Sequence, residues 1–150
     1  MFNQENIEEL LDQLDGSGSD REFNAVNELR KLDNELPKLL LEKYKLSKRW
    51  PVRSSCVYHA IRYARSSMES VQLGREALFD KSKVVRYRAC MLLACALDES
   101  TMVNLKEALD TTKDPETIAD IEAAIDAVKN RNSDYFVDRK HSGKIKLKVN

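Results

Sequence analysis

Two stretches of the chain repeat each other. "PVRSSCVYHAIRYA" begins at Pro51 and "VVRYRACMLLACAL" begins at Val84. Val52-Arg53 aligns with Val85-Arg86, Cys56 with Ala89, Ala60 with Leu93 and Ala64 with Leu97, a step of 33 residues. Moving back 31 residues sets Ala25 and Leu29 on Cys56 and Ala60, and moving forward 31 sets Ala124 and Val128 on Leu93 and Leu97. A period of this size is one supersecondary unit, and such units bury their apolar faces by stacking on their neighbours. The small residues at matched positions fall where helices must approach closely.

The rest of the chain agrees with helices. Four glycines and three prolines in 150 residues leave little room for the turns of an all-β fold. Amphipathic segments are predicted over 4–14, 20–32, 36–46, 51–65, 69–80, 84–97, 101–110 and 115–129. The Gly16-Ser17-Gly18-Ser19 break ends the first, and Ser19 or Asp20 caps the second. Pro51 and Pro115 suit a first helical turn, where the missing N–H costs nothing, and Asp114 is a good cap before Pro115. Breaks this short make consecutive helices antiparallel neighbours.

At the third copy, "ALFDKSKVVRYRACMLLACAL", the chain resembles the HEAT-like repeat family. Asp80 ends one helix, Val85-Arg86 opens the next, and Ala89 and Leu93 follow one and two turns on. The resemblance implies that Asp80 and Arg86, six residues apart, hydrogen-bond between neighbouring repeats, with Arg53 as the equivalent arginine one repeat earlier. The pattern departs elsewhere: Ser47 stands where the second repeat would have its Asp, the fourth has Thr111 and Thr117, and the first has Gly16 and Glu22. The resemblance covers residues 20–129. An irregular helical bundle is the alternative architecture.

Cys90 and Cys95 invite a metal or redox reading. At roughly 100° per residue they lie about 140° apart on a helix, wrong for two ligands of one metal or for a disulfide. They are expected to be packing residues, as is Cys56. With three cysteines and no basic, apolar leader, the expected compartment is the reducing cytoplasm. No apolar run reaches the roughly 18 residues of a membrane span. The chain carries no glycine-rich phosphate loop, no His-Glu zinc motif and no Gly-x-Ser-x-Gly elbow. No catalytic residue, metal ligand or cofactor is therefore assigned.

The formal net charge is zero, but the charges are banded. Residues 1–35 carry a net −7, 38–88 a net +9, 98–138 a net −7 and 139–150 a net +5. Opposite the Arg53–Cys56–Ala60 and Arg86–Ala89–Leu93 faces lie Tyr58, Arg62, Arg65, Tyr87, Arg88 and Met91. Tyrosine, arginine and methionine are enriched at protein interfaces. These six are the candidate partner-binding residues. Lys38, Lys43, Lys45, Lys48 and Arg49 form a second basic cluster, read as a solvated face.

After 132 the pattern changes. Tyr135-Phe136-Val137 is β-prone, Lys144, Lys146 and Lys148 alternate with Ile145, Leu147 and Val149, and Lys140-His141-Ser142-Gly143 between the two runs can make a turn. The sequence thus predicts an all-α chain. An α-solenoid of about four HEAT-like helix pairs spans residues 1–132, closed by a short C-terminal β-hairpin over 133–150 packed on the last pair. A disordered basic tail is the alternative for that end. The expected activity is non-catalytic binding of another protein, an acidic partner or a toxin neutralised by being covered, the latter by analogy with immunity-type proteins. The competing expectation is a nucleic-acid-binding helical-repeat protein of a kind related to base repair.

Overall fold

Helix starts follow the caps written in the sequence. In the computed structural model, residues 3–139 are described. Asn3, Ser19, Ser67, Ser82 and Asp114 each accept a hydrogen bond from the backbone N–H three residues on. The helices are α1 (Gln4–Asp12), α2 (Asp20–Leu29), α3 (Glu35–Leu46), α4 (Trp50–Ala60), α5 (Met68–Ala77), α6 (Lys83–Ala96), α7 (Met102–Thr111), α8 (Pro115–Lys129) and α9 (Asp134–Val137). The expected extensions of α2 to 32 and of α4 to 65 tighten into single 3-10 turns over Arg30–Leu32 and Ile61–Tyr63. None of the described helices is long and apolar enough to cross a membrane.

Consecutive helices pack as pairs, α1 with α2, α3 with α4, α5 with α6 and α7 with α8. The second members α4, α6 and α8 also pack directly on one another in a row, and α3 packs on α5. Helix α6 lies centrally in that row, between α4 and α8 and against α5. This placement explains the apolar run in its sequence: Val85, Ala89, Cys90, Leu92, Leu93 and Ala94 are all buried. Gly74 of α5 lets the pair close up, because a Cβ there would stand 2.9 Å from Leu92 and Leu93 methyls.

A polar tie crosses each boundary from one repeat position. Glu22 of α2, Arg53 of α4 and Arg86 of α6 occupy matched places, and each reaches the next repeat. Glu22 Oε2 accepts from Ser55 Oγ at 2.5 Å and faces His59 Nε2 at 3.1 Å. Arg53 grips Asp80 with both prongs, Nε to Oδ2 at 2.8 Å and Nη2 to Oδ1 at 3.0 Å. Arg86 donates to Thr117 Oγ1 at 3.0 Å and to Asp114 Oδ2 at 3.3 Å. Arg86 does not meet the Asp80 carboxylate; it donates to the Asp80 backbone carbonyl at 2.8 Å. Asp80 and Arg86 thus belong to successive links of one ladder.

The expected C-terminal β-hairpin is overturned. Tyr135, Phe136 and Val137, read as a strand, lie in α9, and no strand occurs among the described residues. The aromatic preference for strands reflects how such side chains pack on a pleated surface, and tertiary contacts override it. Arg131 takes a left-handed conformation (φ 53°), and α9 packs on α8. Phe136 is then buried against Tyr87. The second expected strand, residues 144–149, lies outside the described residues.

Gly16 marks where the first pair meets α4. It adopts φ +80°, and a Cβ would fall 2.2 Å from the Pro51 carbonyl oxygen. Both the conformation and the backbone clash exclude a side chain. Gly16→Ala is expected to lower stability by about 1–3 kcal/mol. Urea denaturation followed by circular dichroism checks it, and an unchanged midpoint would refute the close approach.

Candidate protein-binding face

The outer side of the α4–α6–α8 row carries a line of rings and guanidinium groups. It starts on α2, where Phe23 meets the edge of His59 at 5.9 Å between centroids. His59 is buried and meets Tyr58 edge-on at 5.1 Å. The Arg88 guanidinium of α6 lies over the Tyr58 ring, 4.3 Å from its centroid. The neighbouring Tyr87 turns the other way, to Phe136 of α9 at 5.8 Å. Arg139 covers Phe136 at 4.9 Å and donates to Asp120 of α8 at 2.8 Å. Phe23 (39%), Tyr58 (39%) and Tyr87 (36%) all keep more than a third of their surface in water.

The six candidate residues divide. Tyr58, Tyr87 and Arg88 lie on this line. Met91 follows one turn along α6, half-buried against the core. Arg62 is exposed on the 3-10 turn after α4. Arg65 departs from the group: its Nε donates to the Cys95 carbonyl at 2.7 Å. There it caps the end of α6 and lines a different cleft, with Met68 and Asp98. Phe23 was missed, although the repeat steps of 31 and 33 carry it through Ser54 to Tyr87. Asp114 was read only as a cap; its tie to Arg86 was missed because it lies 34 residues after Asp80, so a step of 31 lands on Thr111 instead.

Electrostatics separate structural charges from available ones. Arg53, Arg86, Arg131 and Arg139 each pair with a carboxylate. Among the described residues Arg62 and Arg88 pair with none, and Arg88 Nε is buried without an acceptor. Asp120 is shifted up by burial, although Arg139 pulls against that shift. Burial drives His59 below its ordinary range, with Glu22 opposing.

Ser55, Glu22 and His59 bring together the residue types of a hydrolytic triad, yet their geometry is not one. Both the Ser55 hydroxyl and the His59 ring nitrogen address the same Glu22 oxygen, so the serine has no base. All three are buried. The cluster joins α2 to α4 and holds the ring beneath Tyr58. Burial raises the Cys56 thiol to about 12 and shifts Cys90 and Cys95 upward too, which suppresses thiolate chemistry. Trp50, the first residue of α4, is half exposed.

No family model and no curated protein matches the chain.

Proposed function

We propose that the chain is a HEAT-like helical-repeat protein of the cytoplasm that binds another protein through the outer face of the α4–α6–α8 row, without catalysis. The observation that carries this reading is the stacked Tyr58–Arg88 pair. An exposed aromatic ring and a guanidinium that pairs with no carboxylate among the described residues are already held in place across two helices. Rigid aromatic and arginine anchors lose little freedom on binding and dominate interface energetics. Phe23, Tyr87, Met91 and Arg62 widen the patch. The cytoplasmic part of the reading is supported by the three free cysteines.

The test is site-specific photo-cross-linking in the cells that make the protein. A photoreactive residue at position 58 is expected to give a discrete protein adduct. The same group at exposed Lys106 on α7 serves as the comparison. Arg62→Glu with Arg88→Glu should remove the position-58 adduct by at least tenfold, about 1.4 kcal/mol or more, and leave the melting temperature unchanged. An adduct that survives the double charge reversal would refute the reading. So would cross-linking confined to position 106, or to nucleic acid.

A further inference from the structure

We infer that the partner segment seated on this face is acidic and carries one large apolar side chain, docked in the furrow between α4 and α6. This rests on the protein-binding reading above. The molecule contains its own example one furrow further on. Between α6 and α8 the short helix α9 lays down Phe136, 3% exposed, against Tyr87. The occupant also supplies a charge: Arg139 covers that ring and pairs with Asp120 of the row. In that furrow the ring and the complementary charge come from one short segment.

The α4–α6 furrow presents the same elements with the charge reversed. Its ring is Tyr58 and its charged group is Arg88, with Arg62 exposed on the turn that follows α4. The nearby carboxylates are already engaged: Glu22 by Ser55, His59 and Gly18, and Asp120 and Glu116, which share a hollow with Arg88, by Arg139 and Lys83. An occupant here must bring the carboxylate that α8 supplies to Arg139. It must also bring an apolar group for the exposed faces of Tyr58 and Phe23. A basic segment would set like charge against Arg62 and Arg88. A nucleic-acid strand would satisfy the arginines, but its phosphates carry no apolar group for the rings.

The experiment is an NMR titration of the ¹⁵N-labelled full chain with three synthetic ten-residue peptides. One has a single Phe flanked by Asp and Glu, one replaces that Phe with Ser, and one replaces the acids with Lys. The acidic Phe peptide is expected to shift the Tyr58, Arg62 and Arg88 signals. Its affinity should fall about tenfold or more in the Ser peptide and in Arg88→Glu. The Lys peptide should leave these signals in place. Equal binding of the Lys peptide, indifference to Phe, or no shift at this face would overturn the inference. So would a short DNA duplex that binds there more tightly than the acidic peptide. The position-58 cross-link then separates the two failures: an adduct with no acidic-peptide preference overturns only the partner chemistry.

Discussion

Asp80→Ala is expected to destabilise the fold by about 3–5 kcal/mol, the usual cost of removing one partner of a buried pair. The Asp80 side chain is 4% exposed and that of Arg53 is 14% exposed. The carboxylate takes both prongs of Arg53, the Tyr44 hydroxyl at 2.8 Å and the Ser82 N–H at 2.9 Å. Alanine leaves a guanidinium and a phenol without their acceptor in a poorly hydrated seam between two repeats. For a chain of this size the melting temperature should drop on the order of 10 °C. Burial works to raise the Asp80 pKa, but its donors, led by Arg53, outweigh burial and hold it below the usual carboxylate value. Its contribution is therefore complete above the unfolded value near pH 4 and fades as pH falls through the folded one. Urea midpoints of wild type and Asp80→Ala should converge in acid. In a double-mutant cycle, Arg53→Ala with Asp80→Ala should cost less than the two single losses together. Additive losses would show that the bidentate pair is not a unit.

The ladder shows what the sequence could disclose. Helix starts were legible because Ser19 and Asp114 are chemical signals within three residues of what they cap. The inward face of α6 was legible because helical geometry sets Cys90 and Cys95 on different sides; Cys90 is buried and Cys95 only partly so. The repeat step was legible where loops keep one length, and it carries Phe23 to Tyr87. It failed at Asp114, since the α7–α8 loop, 112–114, is shorter than the α5–α6 loop, 78–82; the acid stands three residues before its repeat position, not six, while the fold still brings it to Arg86. Arg65 lies off the projected line for a similar reason. α4 stops at Ala60 and tightens, so a straight-helix projection no longer describes the residues that follow. Tyr135–Val137 misled through local preference alone. What decides their structure is the ring of Tyr87, some fifty residues away in sequence, and no window of neighbouring residues contains it. Glu22 was noted only as a departure from the family pattern, although it does at its boundary what Arg53 and Arg86 do at theirs.

Glu22→Ala is expected to cost about 2–4 kcal/mol, because it strands two buried donors, Ser55 Oγ and His59 Nε2, and frees the Gly18 N–H. The loss should be local, since stacked units are stabilised by their own packing and by nearest neighbours. In Glu22→Ala, amide hydrogen exchange should accelerate sharply in α1 and α2 and little in α6. Uniform acceleration along the chain would contradict this. His59 adds a pH signature. Burial lowers its pKa, Glu22 raises it, and the positive charges of Arg30 and Arg88 lower it further. The net shift is downward, so the folded chain binds its proton later than the unfolded one. Stability from this site is full above the unfolded value near 6.5 and declines as pH falls from there towards the folded pKa. Removing Glu22 removes the one carboxylate that favours the imidazolium, so the decline should extend to lower pH in Glu22→Ala. His59→Gln, which keeps a donor for Glu22, should abolish the decline. Because His59 lies under Tyr58 and Phe23 rides on α2, the same acid shift should loosen the aromatic–arginine line from its α2 end. Persistence of the decline in His59→Gln would assign it to another group.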